Sequence, residues 1–111
     1  MSRRDELRLE DIRGAIATIR GYVRDADFDR KTSDAVLYNL VVIGEAANAL
    51  SDDVTSREEE IPWPKIVGLR NLIAHEYFRI DREIIEAIVH DQLDALDAAA
   101  ERLIPDVGEG T

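Results

Sequence analysis

Gly68-Leu69-Arg70-Asn71-Leu72-Ile73-Ala74-His75-Glu76-Tyr77-Phe78 is the stretch on which the reading of this chain turns. Four residues able to carry chemistry, Arg70, Asn71, His75 and Tyr77, interrupt an otherwise apolar run. On an α-helix each residue advances about 100°. With Arg70 at zero, Tyr77 falls about 20° to one side, and Asn71 and His75 about 100° and 140° to the other. Ile66, Leu69, Leu72 and Ile73 are assigned to the opposite arc. The expectation is a helix with an apolar face toward its own bundle, presenting a guanidinium, an imidazole, an amide and a phenol to something else.

Outward from that stretch, the other segments read as scaffold. Proline suits the first turn of a helix, so Ile61-Pro62-Trp63-Pro64 predicts a helix starting at Pro64 and ending near Tyr77. Trp63 reads as a core or interface anchor. Downstream, Asp81 as N-cap and Ile80 with Ile85 as a hydrophobic staple open a last helix. It runs on Ile85, Val89, Leu93, Leu96, Ala100 and Leu103 until Pro105 stops it. Upstream, Leu9, Ile12, Ile16, Ile19 and Val23 form a helical stripe over residues 5–24. Gly14 and Gly21 are costly in a helix and are read as points of close backbone approach. Residues 25–31 connect, with Phe28 expected to plug one end of the core. Thr32 or Ser33 is the expected N-cap of a second helix to about residue 50. Its two adjacent stripes (Val36, Leu40, Ile43, Ala47 and Leu50; Leu37, Val41 and Gly44) predict burial on most sides. The small run Gly44, Ala46, Ala47 and Ala49 predicts that another helix comes close. Residues 51–60 read as a polar, acidic loop with at most a short helical turn. The fold class is therefore all-α, an antiparallel four-helix up-down bundle, with one domain over residues 1–104 and a flexible tail at 105–111.

Composition narrows the function. The chain has 111 residues, 45% of them apolar, few aromatics and no cysteine. That excludes disulfides and thiolate metal sites and makes a cytoplasmic protein the default. No apolar run approaches the roughly 20 residues of a membrane span, and no signal-peptide pattern opens the chain. A net charge of −10 argues against a general nucleic-acid or DNA binder. Yet every cationic residue except Lys31 and Lys65 is arginine, the better residue for bidentate phosphate contacts. That preference fits a local positive cleft on an acidic body and equally fits a bias of genome composition.

His75 has two readings. A histidine near an apolar stripe is often a satisfied structural residue. Beside Arg70 and Asn71, however, it supplies a proton shuttle next to a permanent charge, the minimum for metal-independent phosphodiester transfer. RNA brings its own nucleophile, the 2′-hydroxyl. His75 would activate it while Arg70 holds the phosphate, leaving a 2′,3′-cyclic end. One chain has one such histidine, so a second acid implies a two-fold dimer with both key helices on one cleft. Glu45 and Asn48 fit either that cleft or a solvent face. Asp52-Asp53 and Glu58-Glu59-Glu60 read as solvated acidic loop. His90 with Glu86 or Asp94 lacks a second liganding pair, so neither a metal nor a cofactor is expected.

Arg70, four residues, His75, one residue, Tyr77 resembles the RxxxxHxY motif of HepT-like toxins in the HEPN superfamily, with the polar Asn71 after the arginine also typical. Asp34-Ala-Val-Leu-Tyr-Asn-Leu, Ile43-Gly-Glu-Ala-Ala, Ile61-Pro-Trp63 and His75-Glu-Tyr-Phe-Arg-Ile-Asp81 extend the likeness over most of residues 30–95. The resemblance implies a homodimeric four-helix HEPN domain acting as an RNA-cleaving toxin. It implies a ribonuclease centre of Arg70 and His75 at the dimer cleft, supported by Asn71. It also implies a small MntA-type nucleotidyltransferase antitoxin as partner, which silences the toxin by transferring AMP to Tyr77. The rival readings are a non-catalytic helical dimer that binds a nucleotide or the nucleotidyltransferase, and a purely structural dimerisation domain.

Overall fold

The computed structural model describes residues 2–25, 29–77 and 79–109. Among them lie six α-helices and no strand: α1 (Arg3–Asp25), α2 (Arg30–Asn48), α3 (Asp52–Thr55), α4 (Trp63–Glu76), α5 (Arg82–Asp91) and α6 (Leu93–Glu109). Phe28, the expected plug, lies outside the described residues. No described helix is long and apolar enough to cross a membrane.

The core follows the stripes. Leu9, Ile12, Ile16 and Ile19 of α1 are fully buried, as are Val36, Leu40 and Ile43 of α2. Each such side chain contributes about 1.5–3 kcal/mol of transfer free energy. Polar ties set the helix directions. Asp5 near the start of α1 accepts hydrogen bonds from the Ser51 amide (2.9 Å) and hydroxyl (2.9 Å) just past the end of α2, so these helices run antiparallel. Arg13 reaches Asp97 (3.1 Å), and Arg20, further along α1, reaches Asp97 (3.0 Å) and the earlier Asp94. Helix α6 is therefore antiparallel to α1 as well.

Four expectations are corrected. The N-cap of α2 is Asp29, whose carboxylate accepts from the Thr32 amide (2.8 Å); Thr32 is buried three positions into the helix. Aspartate caps as well as serine or threonine, so choosing among such candidates needs the backbone. The last helix is interrupted at Gln92, although no glycine or proline stands there. The cause is tertiary, since α5 lies against α2 whereas α6 lies against α1. Helical backbone also continues past Pro105 to Glu109. The proline removes one amide donor, which weakens a helix without necessarily ending it. Finally, a Cβ on Gly14 or Gly21 would meet nothing within 4 Å, so neither is a close-approach site.

Gly44 is such a site. A Cβ there would stand 3.1 Å from the Ile66 carbonyl oxygen and 3.3 Å from the Arg70 amide nitrogen. Helix α4 thus crosses α2 with its backbone against this glycine, as the small-residue run predicts. Trp63 is buried at the start of α4, and its indole N–H donates to the Glu58 carbonyl (3.0 Å). Glu58 also pairs with Arg102, so the tryptophan corner is tied to α6.

Candidate functional site

The helix carrying the key stretch presents its residues differently from the expected two-faced division. Ile66 and Ile73 are buried, while Leu72 is 45% exposed. Arg70 and Tyr77, both half-buried, share the face of Ile66 and Ile73 at spacings of four, three and four. A residue four positions before Arg70 lies only about 40° from it. Ile66 and Ile73 therefore flank Arg70 on the α2 side, and Leu72 faces outward. Asn71 and His75 are exposed on the outward arc.

Gly44 sets the position of Arg70. Because α4 seats its backbone on that glycine, the next residue of α2, Glu45, stands beside the arginine. Arg70 Nη1 donates to Glu45 Oε1 at 2.7 Å. Both side chains keep solvent contact, 41% for Arg70 and 53% for Glu45. A guanidinium carries five donors, so the pair orients Arg70 while leaving capacity for an anion.

Toward the other end of the crossing, the Tyr77 hydroxyl donates to Asp34 Oδ1 at 2.8 Å. From Asp34 to Glu45 the chain advances along α2, while the partners retreat along α4 from Tyr77 to Arg70, so α2 and α4 are antiparallel. The hydrogen bond to Asp34, partial burial and the charge of that carboxylate push the Tyr77 phenol above its ordinary pKa of 10.0; the charge of Arg30 opposes them. Beside Tyr77 opens a groove of about 410 Å³, lined by residues of the α2 start and by Ile80 and Ile85.

Arg70 and Tyr77 are thus brought onto one polar edge with Glu45 and Asp34. His75 and Asn71 are not; His75 turns about 140° away from Arg70 around α4. The imidazole nevertheless lies at the surface, clear of the packed interior. The sequence does not single out Asp34 as a site residue, and Glu45 fits either cleft or solvent. Their partners are 43 and 25 residues away, so no local spacing marks them. The one available signal for Glu45 was its place after Gly44 in the small-residue run.

A family model described as ribonuclease HepT-like matches residues 10–103. The chain is 33% identical over 100 residues to a protein of Thermococcus cleftensis named "Probable ribonuclease HepT", covering 86% of this chain and 91% of that relative. It is 30% identical over 107 residues to an RNase candidate of Methanocaldococcus jannaschii, covering 91% and 98%. It is 34% identical over 104 residues to a second from the same organism, covering 89% and 86%. No solved structure matches the chain.

Proposed function

The chain belongs to the HepT-like ribonuclease family of the HEPN superfamily, and from that premise we propose that it is a metal-independent endoribonuclease, the toxin of a toxin–antitoxin pair. The observation that carries this reading is the family match over nearly the whole chain, joined to an oriented Arg70 and a solvent-facing His75 on the same helix. In this reading the chain is a cytoplasmic four-helix HEPN bundle that works as a homodimer. One protomer has a single imidazole on the helix of Arg70, so a second copy facing the same cleft supplies the further imidazole that the reaction needs. The exposed Leu72 and Tyr38, the latter 69% exposed, give such a copy apolar surface to cover.

The chemistry follows from the residues. Neutral His75 takes the proton of the RNA 2′-hydroxyl, whose oxygen attacks the adjacent phosphorus. Arg70 binds the non-bridging oxygens as charge builds on them. The 5′-oxygen departs with a proton from the second copy's imidazole, leaving a 2′,3′-cyclic phosphate. Asn71 supports the phosphate as an amide donor. The partner is an MntA-type nucleotidyltransferase antitoxin that transfers AMP to Tyr77. Arg70 and Tyr77 share a face about 10 Å apart along the axis. A phosphodiester on the phenol therefore adds bulk and negative charge where the RNA phosphate would lie.

Incubating the purified chain with single-stranded RNA and mapping the product ends tests this directly. Cleavage to cyclic-phosphate ends, lost in Arg70→Ala and His75→Ala, is the expected result; expression should arrest growth and either substitution should relieve it. Cleavage that survives His75→Ala would remove the histidine from the ribonuclease centre. The groove beside Tyr77 favours a second reading, a non-catalytic dimer that binds a nucleotide or its nucleotidyltransferase. In that case no RNA is cut and groove substitutions weaken partner binding.

A further inference from the structure

Tyr77 is held by a group able to take its proton. Asp34 stands exposed in α2 five residues after the Asp29 cap, with Oδ1 2.8 Å from the phenolic oxygen. That separation lies within the roughly 2.6–3.2 Å required of a general base. We propose that Asp34 is the catalytic proton acceptor when Tyr77 is adenylylated; this rests on the reading of Tyr77 as the modification site.

A phenol attacks phosphorus poorly while it keeps its proton. The Asp34 carboxylate pushes the Tyr77 phenol above its ordinary pKa of 10.0, so the hydroxyl keeps its proton at neutral pH. The proton must therefore leave as the attack occurs, and Asp34 is already bonded to it. As Tyr77 Oη forms its bond to the α-phosphorus of ATP, the bond from that phosphorus to the pyrophosphate bridging oxygen breaks. Pyrophosphate leaves with that electron pair, and the phenolic proton passes to Asp34 Oδ1.

The surroundings suit this step. The groove of about 410 Å³ beside the phenol lies within the roughly 300–1,000 Å³ of small-ligand sites. Leu37 and Ile80 give it apolar wall, and Arg30 lines it with positive charge that acts on the phenol and suits a transferring phosphate. Tyr22 and Tyr38 are also exposed, but among the described residues neither is hydrogen-bonded to a carboxylate. The inference thus predicts which tyrosine reacts.

The experiment is single-turnover transfer from α-labelled ATP by an MntA-type nucleotidyltransferase, with peptide mapping of the label. Wild type, Tyr77→Phe, Asp34→Asn and Asp34→Ala are compared, their folding checked by thermal melting. The two Asp34 variants should melt like wild type and react about 10²–10⁴-fold more slowly. Placing a difluorotyrosine at position 77 of Asp34→Asn should restore most of the rate, because that phenol yields its proton without a base. Transfer at the wild-type rate in Asp34→Asn overturns the inference and leaves Tyr77 as the site. A slow variant that difluorotyrosine does not rescue also overturns it, since Asp34 would then only position the ring. Label absent from wild type, or persisting in Tyr77→Phe, removes the modification site and this inference together.

Discussion

The two sides of α2 are built on different principles. Against α1, and beyond it α6, the inward stripe is apolar and largely buried, from Leu9 to Ile19 and from Val36 to Ile43 fully so, with ion pairs of Arg13 and Arg20 along the seam between α1 and α6. Against α4, the inward face is Ile66, Arg70, Ile73 and Tyr77, so half of it is polar. There α2 answers with Glu45 and Asp34. A seam of the first kind maximises burial. The second gives up apolar burial to hold a guanidinium and a phenol at fixed places on the surface. One side of the molecule is accordingly built for burial and the other to hold polar groups at the surface, and substitutions can separate the two.

The largest contrast pairs His75→Ala with Ile16→Ala. His75 is exposed, so its loss should move stability by no more than about 0.5 kcal/mol. RNA cleavage should fall about 10²–10⁴-fold, the usual contribution of a general acid–base. Ile16 is fully buried, and its truncation should cost about 2–5 kcal/mol. In a domain of this size the melting temperature drops by roughly 4–8 °C per kcal/mol. Measured where both proteins remain folded, the cleavage rate of Ile16→Ala should match wild type. If His75→Ala instead lowers the melting temperature as Ile16→Ala does, the division between the two sides is wrong.

Gly44→Ala tests whether the two sides meet at one point. The added carbon would press on the Ile66 carbonyl and Arg70 amide, which are backbone and cannot swing aside. The expected cost is about 1–3 kcal/mol. Unlike Ile16→Ala, it should also lower cleavage, because α4 carries Arg70 away with it. Melting curves and cleavage rates on one preparation decide the matter; a fall in stability with full activity would detach Gly44 from the site.

The sequence exposed these two sides unequally. The stripes of α1 and α2 and the apolar positions of α6 were legible because burial there follows the helical period without interruption. Helix α4 itself was legible from its prolines and Trp63. Its orientation was not, because Arg70 and Tyr77 lie on the buried side and Leu72 on the outer one, which inverts the polar-out rule on which periodicity relies. The family resemblance singles out Arg70, His75 and Tyr77 without revealing that they face different ways. Asp34 and Glu45 were hidden for another reason, that each acquires meaning from a partner on a separate helix. The bend at Gln92 left no mark either, since it arises from what the two halves touch.

Acid should reveal the buried side through Asp5. Burial pushes its carboxyl upward, but the hydrogen bonds from Ser51 and Ser2 outweigh that and hold it below the ordinary 3.8. A carboxyl depressed in the folded state stabilises above its unfolded value and loses that contribution as pH falls through the folded one. Wild type should therefore lose stability below about pH 4 more steeply than Asp5→Asn. At neutral pH that variant should itself be about 1–3 kcal/mol less stable. Chemical denaturation at several pH values gives both numbers; parallel pH profiles would mean that the clamp of α1 on Ser51 contributes nothing.

The smallest expected effect is the most informative about the polar side. Arg70 and Glu45 both remain substantially exposed, so their pair should be worth only about 0.2–1 kcal/mol. Glu45→Gln should accordingly melt close to wild type. Its consequence for RNA has two parts of opposite sign. Removing a negative charge beside Arg70 strengthens attraction to the substrate phosphate and lowers KM, most visibly at low salt. Loosening the guanidinium costs orientation in the transition state and lowers kcat. An energy of that size corresponds to at most about a fivefold change in either constant. A fall in both, shrinking as salt is added for KM but not for kcat, identifies Glu45 as a positioning residue for Arg70. If neither constant moves, the ion pair is an ordinary surface contact, and the guanidinium is oriented by its seat between Ile66 and Ile73 alone.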